Sequence, residues 1–133
     1  MSDLKILGAV TMLVIGLTFG ACSEDDVSAV RMESGQRFEP EVLTISVNET
    51  VTFVNASGDA HTVTAYEDVL PEGASYLASG GFVSEDGARD EVAGGLLSSG
   101  ESFEGRFDVP GSYRYFCIPH EASGMTGRIV VEK

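Results

Sequence analysis

Beyond about residue 27 the chain is organised in short runs in which apolar and polar positions alternate with a period of two, with turn residues between the runs. Val27–Met32, Phe38, Val42–Val47, Thr50–Val54, His61–Tyr66, Ser102–Val109, Gly111–Cys117 and Thr126–Glu132 read as strands. Asn48-Glu49 links two of them, and Val109-Pro110-Gly111 is a turn in which proline fixes φ and glycine permits a positive one. Many short strands punctuated in this way predict an all-β domain built as a two-sheet sandwich.

Two stretches break the rhythm. From Glu67 to Gly100 there are seven glycines, seven carboxylates and a single cation, Arg89, with apolar residues only scattered among them. A connection of this length carries function or structure of its own. Ser84–Val92 has the makings of a short helix, which Gly87 weakens. The other stretch is the N-terminal run from Ile6 to Ala21, free of charge, with Lys5 before it and Cys22 and the acids Glu24, Asp25 and Asp26 after it. It is short for a full membrane span and fits a secretory signal. Phe19-Gly20-Ala21-Cys22 resembles a lipoprotein processing site, in which the cysteine is lipidated and becomes the new N-terminus. An uncleaved signal anchor is the alternative. Either way residues 1–21 are set apart from the fold, 22–27 form an acidic spacer, and 28–133 form one domain, exported and tethered to the outer face of the cell membrane.

Charge sharpens this picture. The 133 residues carry 21 Asp or Glu against 8 Lys or Arg, a formal charge of −13, with 43% hydrophobic residues. That apolar content supports a packed core, while the charge excludes nucleic acid as a partner and disfavours anionic head groups. Acid excess spread along the chain resembles proteins of salt-loving microbes, whose single-sign repulsion needs screening; an ordinary acidic secreted protein is the alternative.

The candidate chemistry sits near the C-terminus. The chain has only two histidines, His61 and His120, and the second lies in Cys117-Ile118-Pro119-His120-Glu121-Ala122-Ser123-Gly124-Met125, a C-x2-H-x4-M spacing. If Cys22 carries lipid, Cys117 has no disulfide partner, and a lone extracellular thiol calls for burial or a ligand. One thiolate, two imidazoles and one thioether are the donors of a blue copper site, three strong ligands in a plane with a weak axial sulfur. Tyr113, Tyr115 and Cys117 share one face of their strand, so the cysteine is presented from the core at its end. Zinc could use the Cys and His donors, but a typical zinc site has no need of Met125.

The stretch Tyr113–Val131, with Cys117, His120, Met125 and Gly127, resembles the C-terminal copper loop of plastocyanins. Phe53-Val54-Asn55 followed by His61-Thr62-Val63 resembles their first-ligand segment. Membrane-tethered acidic members of this cupredoxin family are the halocyanins of salt-loving archaea, which the chain resembles most. The resemblance covers about residues 28–133. It implies a Greek-key β-sandwich with one copper held by His61, Cys117, His120 and Met125, passing single electrons between redox protein partners of a membrane electron-transport chain, as a monomer and not an enzyme. The chain departs from the pattern in the length of its 67–100 insertion. It also has Thr62 and Ile118 where plastocyanins use a polar pair to tie the two ligand loops, so a different tie is expected. The small and apolar residues around His120 mark that loop as the place where electrons leave, Glu121 being the argument for ordinary solvated surface.

Other functions fit less well. A copper nitrite reductase or multicopper oxidase fragment needs further histidine centres, and an extracytoplasmic copper delivery protein usually offers more Met or His donors. An adhesive sandwich leaves the ligand spacing unexplained. Asn48 and Asn55, the only asparagines, both lie in N-x-[ST] sequons, a glycosylation signal that Asn55 could instead reflect as a turn residue.

Overall fold

The computed structural model describes residues 27–133; the expected signal segment and, except for Val27, the expected spacer lie outside the described residues. Eight strands follow in chain order: β1 Ser28–Glu33, β2 Arg37–Glu39, β3 Val42–Ser46, β4 Thr50–Asn55, β5 Thr64–Ala65, β6 Ser102–Arg106, β7 Gly111–Phe116 and β8 Thr126–Glu132. They form two four-stranded sheets, ordered β2-β1-β4-β6 and β3-β8-β7-β5. The β1–β4 and β3–β8 pairs are parallel and the others antiparallel.

Alternation along the strands produces this packing directly. Val30 and Met32 of β1, Val51 and Phe53 of β4, Tyr113 and Tyr115 of β7, and Ile129 and Val131 of β8 all turn inward and are buried in one core. Tyr115 joins the sheets, meeting Phe38 edge-on at 4.7 Å and Phe53 at 5.3 Å between ring centroids. Burying each such ring contributes about 1.5–3 kcal/mol. Gly127 stands opposite Tyr115 in register because the ring occupies the place a Cβ would need. The turn residues behave as their types require: Asn48 adopts φ 71° and Gly111 φ 139°.

Two expected strands are shorter than the alternation suggests. Only Thr64–Ala65 of His61–Tyr66 is strand, because His61 bonds to Leu97 of the insertion and leaves the sheet. Ser102–Val109 ends as strand at Arg106, after which Phe107 drops into the core and its backbone bonds to Asn48 and Glu49.

The insertion is built, not loose. A 3-10 turn at Glu67–Val69 leads to a segment paired along β5, where Ala65 N–H donates to Leu77 O at 2.9 Å and Ser79 N–H to Val63 O at 2.7 Å. The expected helix is present as α1 Glu85–Asp90, followed by the single turn α2 Val92–Gly95. Ser84 caps α1 by accepting from Gly87 N–H at 3.1 Å. Gly87 serves that cap, since a Cβ there would press on the Ser84 hydroxyl.

Candidate metal centre

The period-two pattern of β7 carries straight into the site: Tyr113, Tyr115 and Cys117 are all buried on the inner side. The chain then makes a 3-10 turn over Ile118–Ser123 with Pro119 near its start, and Gly124 closes it in the left-handed region at φ 84°. That reversal returns Met125 to the core, where Cys117 N–H donates to Met125 O at 3.0 Å and Met125 N–H to His120 O at 3.2 Å. Cys117 and Met125 are completely buried, and His120, mid-turn, is partly exposed. His61 arrives from the other side of the site, clamped by paired backbone bonds to Leu97 of 3.1 and 2.7 Å.

The donor atoms converge. His61 Nδ1 lies 3.1 Å from His120 Nδ1, and Cys117 Sγ lies 3.7 and 3.5 Å from the two nitrogens. A point equidistant from the three is ~2.0 Å from each, the bond length imidazole nitrogen makes with a first-row metal ion. Among the described residues, His61, Cys117 and His120 are the group able to hold a metal in this way. With Met125 they are arranged as a type 1 copper site: soft sulfur for Cu(I), imidazole for Cu(II). Three of the four sequence-predicted ligands, His61, Cys117 and His120, thus meet as one donor group, and Met125 is buried beside them through its backbone bonds to Cys117 and His120.

Surrounding groups orient them. The Ser57 hydroxyl donates to Asn55 Oδ1 at 2.9 Å and lies 2.8 Å from His61 Nε2. Its oxygen therefore accepts from Nε2–H, which leaves the Nδ1 lone pair free to face the metal. Asn55 in turn donates to Asp59 O and Leu97 O, joining the first-ligand loop to the insertion. Its amide is buried and fully engaged, so Asn55 serves as a structural turn residue; Asn48 is exposed. The tie between the ligand loops differs from a polar side-chain pair, as expected: the Thr62 side chain makes it to the main chain of Ile118. Thr62 Oγ1 accepts from Ile118 N–H at 2.8 Å, while Thr62 N–H points at Cys117 Sγ at 3.4 Å.

Burial, then the neighbouring His120, holds His61 below its ordinary 6.5. Burial also pushes the Cys117 thiol up, against the pull of the Thr62 N–H, so metal binding here displaces a proton. Arg89 brings Glu121, the residue after His120, below the usual carboxylate range.

Sequence reasoning offered Asn55 as a turn residue but missed its buried amide's bonds to Leu97, the role of Ser57, and the part Arg89 plays at Glu121. Asn55-x-Ser57 carried a readable turn signal, and Arg89 was conspicuous as the one cation of the insertion.

Known proteins share this arrangement. The chain is 41% identical over 95 residues to a plastocyanin of Scenedesmus fuscus, covering 71% of this chain and 86% of the relative. It is 31% identical over 126 residues to a chloroplastic plastocyanin of Chlamydomonas reinhardtii, covering 95% and 79%. Among solved structures, an oxidised variant of amicyanin superposes with a TM-score of 0.60 at 25% identity, over 81% of this chain and 84% of the other. A purple cupredoxin from Nitrosopumilus maritimus shares the fold at TM-score 0.57 and 20% identity, over 79% and 99%. Residues 26–132 match the profile of copper binding proteins of the plastocyanin/azurin family. With its ligand set gathered at one end of such a sandwich, the chain belongs to that family, the blue copper cupredoxins that carry electrons.

Proposed function

We propose that the protein is a type 1 copper carrier that passes one electron at a time between redox proteins of a membrane electron-transport chain, anchored on the outer face of the cytoplasmic membrane. His61, Cys117 and His120 would hold the copper as its strong ligands, with the Met125 thioether as a weaker donor. The observation that carries this reading is the triangle of two Nδ1 atoms and one Sγ, with edges of 3.1, 3.5 and 3.7 Å. Bound copper supplies the one-electron step by alternating between Cu(I) and Cu(II).

The chain's own residues make that step easy. Ser57 fixes the tautomer of His61, and Thr62 locks the cysteine loop to the histidine loop, so little has to move when the metal changes charge. His120 is partly exposed between the exposed Pro119 and Ala122, and a partner approaching its imidazole there would meet small or apolar neighbours and few charges. Both histidines are used by this one centre, which leaves none for a second copper or for an oxidase or reductase site.

The uncharged run Ile6–Ala21 followed by Cys22 supports export and a tether, through lipid on Cys22 or a retained apolar segment. The net −13 supports a halocyanin-like member working as a monomer in high salt.

Adding Cu(II) to the purified protein and recording visible and electron paramagnetic resonance spectra tests the core of the reading. One equivalent gives an intense thiolate-to-copper band that bleaches reversibly on reduction. Tight Cu(I) binding without that band identifies a delivery protein instead. Membrane fractionation of the wild type against Cys22→Ala tests the lipid tether.

A further inference from the structure

Arg89 is the only cation of the insertion, and it stands at the centre of a knot that reaches the copper loop. Its Nε and Nη2 donate to Glu85 Oε1 of α1 at 3.0 and 2.7 Å. The same guanidinium reaches Glu121 in a fork, Nη1 to Oε2 at 2.7 Å and Nη2 to Oε1 at 3.1 Å. It also lies 4.4 Å over the ring of Phe116, which is stacked at 4.3 Å on Tyr66. The Tyr66 hydroxyl closes the circuit by donating to Glu121 Oε1 at 3.0 Å.

Three of the four partners in this knot adjoin the segments that carry the ligands, and the fourth, Glu85, lies on α1. Phe116 precedes Cys117, Glu121 follows His120, and Tyr66 follows β5. An arginine in so acidic a chain finds a carboxylate anywhere, and isolated surface pairs contribute little. Charge excess does not explain why one guanidinium donates to two carboxylates through its N–H groups and also sits over an aromatic ring. That combination needs a planar, delocalised cation in a fixed orientation.

We propose that Arg89 is a positioning residue of the electron-transfer site: a clasp by which the acidic insertion holds the His120 turn in place and neutralises Glu121 beside the edge where a partner approaches. The proposal rests on the reading of the His120 edge as the electron exit. Without the clasp, the far half of the turn is held by the backbone bonds at Gly124 and Met125, the near half by the Thr62 bond to Ile118 N–H, and Glu121 keeps only the Tyr66 hydroxyl, its charge left unpaired beside His120. The insertion thereby gains a role that its sequence did not disclose.

Amide hydrogen exchange in the metal-free and copper-loaded protein tests the holding role. Arg89→Gln should speed exchange at Gly124 and Met125 by about tenfold while β6 is unchanged. Arg89→Lys keeps the charge but loses the fork and the stack, so it should move these amides in the same direction. Glu121→Gln added to Arg89→Gln should bring little further change, since both remove one contact. Unmoved loop amides in Arg89→Gln, wild-type exchange in Arg89→Lys, or fully additive effects overturn the clasp. The neutralising role is read from oxidation of the reduced protein by hexacyanoferrate(III), an anion, against tris(1,10-phenanthroline)cobalt(III), a cation. The ratio of the two rates should fall by about tenfold in Arg89→Gln and return in the double variant. A constant ratio removes that half of the proposal. Because exchange is also measured without metal, failure of the clasp is distinguishable from failure to form a blue site.

Discussion

The ligand loop from Cys117 to Met125 and the insertion from Glu67 to Gly100 both end up against the same metal centre, yet they are specified in opposite ways. The loop is specified by side-chain chemistry. Cysteine, histidine and methionine must stand at set distances, and Gly124 must take φ 84° to bring the last of them home. The insertion is specified by backbone pairing and a few polar anchors. Leu97 braces His61 through two main-chain bonds, Leu77 pairs with Ala65, and Ser79 donates to Gly95 O at 2.6 Å while accepting from Val63 N–H at 3.0 Å. A segment that supplies ligands announces itself in residue types, whereas one that supplies support does not.

Breaking the loop should have the larger effect. Cys117→Ser removes the one soft anionic donor among the described residues and should abolish the intense visible absorption altogether, with the β-sheet circular dichroism retained. Colour surviving in that variant would take Cys117 out of the metal's ligand set. Met125→Gln is the milder version of the same cut. Exchanging a thioether for a harder amide oxygen favours Cu(II), so a blue site should remain with a lowered reduction potential, measured by voltammetry. An unchanged potential would mean that Met125 is packing alone.

The same contrast explains how much of the molecule is legible in its sequence. The strands of both sheets follow from alternation, because Val30, Met32, Val51, Phe53, Tyr113, Tyr115, Ile129 and Val131 each have to face one core. The four ligands follow from spacing. The shortening of His61–Tyr66 to Thr64–Ala65 does not, since His61 leaves the sheet to pair with Leu97, a residue remote in sequence. The tie between the ligand loops is legible only in part, for a related reason. Thr62 and Ile118 predict a tie unlike a polar side-chain pair, but not that one hydroxyl would suffice with the main-chain N–H of Ile118, which every residue type except proline offers. Asn55 illustrates the same blind spot: its sequon is visible, but its burial under the 55–59 turn depends on contacts with Leu97.

Cutting the support should have a smaller but global effect. Ser79 is buried and links Val63, the residue just before β5, to Gly95, so Ser79→Ala leaves a buried N–H and a buried carbonyl short of a partner. A loss of about 1–3 kcal/mol in chemical denaturation is expected. The visible spectrum of the copper-loaded protein should keep its shape. If the spectrum changes while stability does not, the insertion acts on the metal directly and the division of labour drawn above is wrong.

The smallest effect distinguishes the two regions by pH in the metal-free protein. His61 is held below its ordinary 6.5, by burial first and then by His120, so between that value and its lowered folded value the unfolded chain binds more protons. Stability from this group is complete above 6.5 and drains away as pH falls through the window beneath it. Glu121 is held below its ordinary 4.5 by Arg89, which gives the same sign in a lower window, beginning near 4.5. Acidification should therefore weaken the metal-free protein in two stages, the first belonging to the ligand cluster and the second to the contact with the insertion. Arg89→Gln should erase most of the second stage and leave the first where it was, as followed by melting temperature against pH. Copper should suppress the first stage, because a metal on His61 Nδ1 competes with the proton for the same lone pair. A first stage that persists unchanged in the copper-loaded protein would place the early titration elsewhere and separate His61 from the metal.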